Sequence, residues 1–138
     1  LKTEKVIFGL LLIGLLFLIK GWEGGQLLPT ITLQALAIIC FPFGFYFCCD
    51  KKIKNQKLAW SIIGGFFLQL TPYGMYMKIT DMDQGGAVLF ISVVITPLVF
   101  IFTLYQKKSA ATELTTYYNN MLIRSGVYSL LSMAFYYL

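Results

Sequence analysis

The 138 residues are 58% hydrophobic and 12% charged, with a net charge of +5 and a mean hydropathy of +0.74. Soluble domains are roughly a quarter charged, so a chain this apolar is expected to face lipid and is read as a single integral membrane domain. Histidine is absent, which removes the commonest general base and metal ligand at once.

The placement of the positive charge argues against nucleic acid. Lys2 and Lys5 precede the first apolar run, Lys51, Lys52, Lys54 and Lys57 separate the second from the third, and Lys107 and Lys108 follow the fourth. The alternate connections carry only Lys20 with Glu23, and Lys78 with Asp81 and Asp83. Lysines concentrated on one side of a membrane mark the cytoplasmic face. The basicity is therefore a topology signal, with the N-terminus inside and the bacterial inner membrane as the expected location. No small-residue cleavage site follows the first run, so no cleavable signal peptide is expected.

In chain order, the first run covers 6–19, which is short against the ~20 residues that cross ~30 Å of hydrocarbon. Counted from Lys2 to Trp22, with lysines snorkelling at both ends, it spans. The second covers about 27–49, the third about 58–77 and the fourth about 86–105. Residues 1–50 thus form a first helical hairpin and 58–108 a second. The stretch "SAATELTTYYNN" at 109–120 is polar enough to leave the membrane, and 121–138 is apolar again after Arg124. That last segment is either a fifth span or an amphipathic helix lying on the inner surface; its uncharged composition after Arg124 favours the span. The expected fold is an all-α bundle of four transmembrane helices with a fifth C-terminal membrane helix.

The two hairpins echo one another. "KGWEGGQLL" and "KITDMDQGGAVL" each carry a lysine, an acidic residue and a Gly-Gly pair, Gly24–Gly25 and Gly85–Gly86. "FPFGFYFCCDKK" and "TPLVFIFTLYQKK" each place a proline, Pro42 and Pro97, ahead of a lysine pair. A parallel internal repeat and convergence under one topology rule both account for this. The turn in "LIKGWEGGQLL", with its fainter echo in "MKITDMDQGGAVL", resembles the membrane hairpin of the gliding-motility and type IX secretion motor stator subunit family of Bacteroidota. That resemblance implies paired helices set around a larger partner that converts ion flow into motion, with an acidic residue inside the membrane. This chain departs from the pattern there, since Glu23, Asp81 and Asp83 fall in outer loops and the four main spans are read as free of Asp and Glu.

Candidate chemistry is sparse. Glu23 among glycines is read as a solvated turn residue, although a glycine-flanked carboxylate can bind a cation. Asp81 and Asp83 have calcium-loop spacing with Gly86 sixth, but Gly85 stands where a ligand is needed, so a helix cap is expected and no metal. Gln34 and Gln69, with Thr32 and Thr71, lie inside spans two and three, and either line a pathway or bond helix to helix; the two glutamines are the pair to examine. Ser61 and Gly65 have the small-xxx-small spacing that lets helices approach closely, as do Ser125 and Ser129. Pro42, Pro72 and Pro97 can kink their helices. Cys40, Cys48 and Cys49 lack the spacing of a zinc or redox motif. The sequence therefore points to a non-catalytic subunit without a cofactor, packed as a homo-oligomer or in a larger membrane complex, with a small oligomeric channel or transporter as the alternative.

Overall fold

A computed structural model describes residues 2–41 and 53–138. Among these all regular structure is helical: α1 (Lys2–Ile19), α2 (Leu27–Cys40), α3 (Leu58–Leu68), α4 (Leu70–Ile79), α5 (Gly85–Lys108) and α6 (Thr115–Tyr137), the last entered through a 3-10 turn at Thr112–Leu114. An all-α bundle is what the sequence led us to expect. Pro42, Cys48, Cys49, Lys51 and Lys52 lie outside the described residues.

Two elements differ from expectation. The third apolar run is not one helix but breaks at Gln69 into α3 and α4. Pro72 is the cause: it has no N–H to give the Leu68 carbonyl, and its ring crowds that same group. Pro97 does not break α5, which runs unbroken for 24 residues. The last helix starts at Thr115, six residues earlier than the apolar run suggested, and Tyr117 and Tyr118 in its first turn are buried.

α5 is the one described helix long and apolar enough to cross a bilayer by itself. The others fall short for separate reasons: α1 carries Lys2, Glu4 and Lys5 in its first turn, α2 has 14 described residues, α3 and α4 are two short pieces, and α6 is rich in tyrosine and serine.

α6 threads the full length of the bundle. At the lysine-rich end the Tyr117 hydroxyl donates to the Lys57 carbonyl at the start of α3 (2.9 Å), and the Lys107 ammonium reaches Asn119 Oδ1 (2.6 Å). At the turn end the Lys78 ammonium donates to the Phe135 carbonyl. This satisfies one of the acceptors left over at a helix C-terminus and places a cation at the negative end of its dipole. α6 is thus packed along α5 and α4 rather than splayed away from them.

The hairpins repeat, in a register that differs from the one the glycine pairs suggested. Gly25 N–H bonds to the Trp22 carbonyl and Gly85 N–H to the Met82 carbonyl, both at 2.9 Å. Trp22 N–H returns to Phe17, and Met82 N–H to Met77. Gly21 and Asp81 occupy the same left-handed position, with φ of 65° and 54°. A Cβ on Gly14 would lie 2.9 Å from Pro29, and one on Gly74 3.1 Å from Leu89. Every pair is sixty residues apart, and the burial pattern from 21 to 40 recurs, with few exceptions, from 81 to 100.

The same spacing organises the ascending segments. Phe8, Leu68 and Tyr128 share one apolar cluster; Leu15, Met75 and Phe135 share the other, which also joins Leu11 to Leu131. α1, α3–α4 and α6 therefore run parallel, each in the role of the one before it. α2 returns between α1 and α4, and α5 between α4 and α6. The bundle is two helical hairpins and a third ascending helix, built on one sixty-residue plan.

Candidate functional site

The principal polar feature joins the first turn of α1 to the third turn of α6. The Arg124 guanidinium donates from Nε to Glu4 Oε1 (2.8 Å) and from its second terminal nitrogen to Oε2 (3.0 Å). The Arg124 side chain is 5% exposed and that of Glu4 11%. A bidentate carboxylate–guanidinium pair is the geometry that best offsets the cost of removing two charges from water. Gly64, buried at the corresponding position of α3, keeps this level narrow: a Cβ there would collide with the Met121 methyl. The expectation that the main spans hold no acidic residue is thereby corrected, since Glu4 lies within α1 and is buried.

A groove of about 370 Å³ opens between α1 and α6 above this pair. Lys5, Gly9 and Leu12 form one wall and Asn120, Ile123 and Val127 the other. Space beside Gly9 is open, with no atom within 4 Å of where its Cβ would stand.

Deeper in the bundle, hydroxyl groups link the helices. Thr71 and Ser92 meet at 2.6 Å, Thr96 donates back to the Ser92 carbonyl (2.8 Å), and Thr96 and Ser132 meet at 3.4 Å. Ser61 and the Tyr117 hydroxyl lie 2.6 Å apart, the Trp60 indole donates to Thr103 (3.2 Å), and the Cys40 thiol to the Tyr128 oxygen (3.4 Å). Such residues in a helix interior are expensive to bury unless paired. Here each bonds across to another helix or back to its own backbone.

The residues singled out from sequence divide accordingly. Thr71 and Ser61 belong to these links. Gly65 is buried on α3, while the close approach to α6 comes one residue earlier, at Gly64. Thr32 donates within α2, to the Leu28 (2.9 Å) and Pro29 (3.0 Å) carbonyls. Gln34 is exposed on α2 and is not brought to Gln69. Gln69 sits at the α3–α4 break, its Oε1 buried without a hydrogen-bond partner, beside a hollow of about 230 Å³ lined by Ala37, Ile38, Phe41 and Tyr73. Glu23, Asp81 and Asp83 are all exposed in the turns. In the first turn Trp22 packs on Phe17 at 4.8 Å between centroids, with the Lys20 ammonium 5.5 Å from its ring.

Glu4, Tyr128, Ser92, Thr96 and Ser132 join the site without a sequence motif that singles them out. A signal existed for some of them. Arg124 is the lone charge in its apolar segment, and an ionisable residue so placed calls for a buried partner. Ser92 and Thr96 recur at i, i+4, one face of a helix. Among the described residues no three His, Cys, Asp or Glu side chains converge as metal ligands would. No protein-family model, curated protein or solved structure matches the chain.

Proposed function

We propose that the chain is an integral membrane bundle that acts as a non-catalytic structural or assembly subunit of a membrane complex, in the bacterial inner membrane with its N-terminus inside. The observation that carries this reading is the distribution of polarity. Outward-facing positions of α5 are Phe90, Ile91, Val94, Leu98, Ile101 and Phe102, each about half exposed, and only 28% of its most apolar stretch is buried. The Glu4–Arg124 pair and the Ser and Thr hydroxyls lie inside. A helix in water turns its apolar stripe inward; polar and ionisable groups turned inward behind an apolar exterior suit a lipid solvent.

On this reading α1, α2, α3–α4, α5 and α6 are five crossings. Lys5 in the first turn of α1 and Lys20 just beyond its end are exposed and snorkel, and the Gln69 break is tolerated because neighbouring helices cover it. The resemblance of "LIKGWEGGQLL" (18–28) to the motor stator family is taken to extend to the hairpin architecture. It does not bring an ion-conducting carboxylate with it, because Glu4 is held by Arg124 at both oxygens.

The experiment is alkaline extraction of native membranes followed by mass measurement in mild detergent. Retention in the membrane and a mass above that of one chain are expected. Release by alkali, or a clean monomer with nothing bound, contradicts the proposal.

A second reading, an oligomeric channel or transporter, is favoured by one feature: the buried Gln69 Oε1 at a helix break, facing a hollow. It requires Gln69→Leu to alter ion flux in liposomes, and fails if the purified protein conducts nothing.

A further inference from the structure

Among the described residues the sixty-residue plan leaves one seat open. α2 occupies the space between α1 and α4, and α5 that between α4 and α6. The groove between α6 and α1 has the same two kinds of wall. Leu12 stands 120 residues before Ser132, whose hydroxyl meets Thr96 of α5. Asn120 stands sixty residues after Trp60, which bonds to Thr103 of α5 and stacks on Phe102 at 5.6 Å. Each wall of the groove thus repeats a surface that elsewhere holds a descending helix.

We propose that the groove between α1 and α6 seats one descending apolar membrane helix from a partner polypeptide, antiparallel to both walls. The inference rests on the membrane reading above and names where such a subunit grips its complex. The floor makes no demand for charge, because Glu4 and Arg124 neutralise each other. The inner mouth is complementary to a helix C-terminus: Lys5 is exposed there, placed to meet the terminal carbonyls as Lys78 meets the Phe135 carbonyl of α6. Gly9 leaves room on the α1 wall, so the incoming helix can approach the backbone as small residues permit.

The test uses the full chain in its native membranes, with a photoreactive benzoylphenylalanine in place of Leu12, Val127 or, on the outer face of α5, Ile101. Expected are adducts from Leu12 and Val127 on a single hydrophobic segment of another polypeptide. The Val127 adduct should fall nearer that segment's C-terminus, by about one helical turn or a little more. Ile101 should give lipid adducts alone. Gly9→Leu, which fills open space, should leave the melting temperature unchanged and abolish both protein adducts. Lipid adducts or none at Leu12 and Val127, adducts on a second copy of this chain, a parallel register, or adducts that survive Gly9→Leu each overturn the seat. Lipid labelling at Ile101 alongside such a failure leaves the membrane reading standing. Its absence, with release by alkali, removes that reading and the proposal together.

Discussion

Arg124 holds Glu4 through two nitrogens, at 2.8 and 3.0 Å, and so closes the last helix of the chain onto the first. The two helices run side by side in parallel; Phe8 meets Tyr128 edge-on at 6.2 Å one turn further along. The ion pair therefore fixes the register of a bundle whose other interhelical links, among the described residues, are hydroxyl, indole and thiol contacts and two lysines donating to neutral acceptors.

Breaking one partner of a buried pair costs about 3–5 kcal/mol, because it strands the other charge, whereas replacing both by apolar residues is often neutral. Glu4→Leu and Arg124→Met are each expected to lower the melting temperature sharply in detergent. The double variant should recover most of the loss. Additive losses would show that the two residues act separately.

Gly14 and Gly74 should tolerate little. A Cβ at Gly14 would meet the ring and nitrogen of Pro29 at 2.9 Å, and at Gly74 it would meet Leu89 at 3.1 Å. Gly14→Leu and Gly74→Leu are expected to destabilise by about 1–3 kcal/mol, the range for overpacking. Gly86→Leu, beside which no atom lies within 4 Å, should be close to neutral. Thermal unfolding of the three variants decides it.

The two turns make opposite predictions at equivalent positions. Gly21→Ala forces a Cβ into the left-handed region and should cost about 1–2 kcal/mol, whereas Asp81→Gly relieves the same strain and should stabilise. Equal effects of one sign would mean that the turns are not equivalent.

Thr71 and Ser92 are bonded at 2.6 Å between α4 and α5. Interhelical hydrogen bonds in membranes average about 0.6 kcal/mol by double-mutant cycles. A cycle of Thr71→Val with Ser92→Ala should give a coupling of that order, small beside the Glu4–Arg124 pair. A coupling as large as that of the ion pair would overturn this ranking.

The repeat shows what the sequence made legible and what it hid. Glycines and acidic residues marked both turns correctly as turns. Matching the two Gly-Gly pairs, however, slips the register by one, because the shared requirement is a single glycine, Gly25 or Gly85, beneath the helix-end carbonyls. The left-handed position is filled by glycine once and by aspartate once, so identity is lost where conformation is kept. Lys20 and Lys78 looked equivalent as lysines leaving a helix. In the structural register Lys78 aligns with Leu18 and turns to the end of α6. Pro97 aligns with Ala37, and Pro42, its counterpart in the sequence, lies outside the described residues.

The interior was harder to read for a similar reason. Glu4 sits between Lys2 and Lys5, and its charge merges into a basic cluster that reads as a topology signal. Only the parallel register of α1 and α6 reveals that it answers Arg124, and no local pattern encodes a contact across 120 residues. Gln34 and Gln69 stood out as polar residues in apolar runs. The face of α2 that carries Gln34 points outward, and Pro72 displaces Gln69 to a break.

Five crossings of the bilayer, as proposed, would set the two turns and the α5–α6 connection on opposite sides, which sided labelling in intact cells resolves. Single cysteines would replace Asp83 or Ser109 in a cysteine-free background and be exposed to a membrane-impermeant maleimide. Asp83→Cys is expected to react from outside, and Ser109→Cys only after permeabilisation. Reaction of both from the same side of an intact membrane would contradict that arrangement.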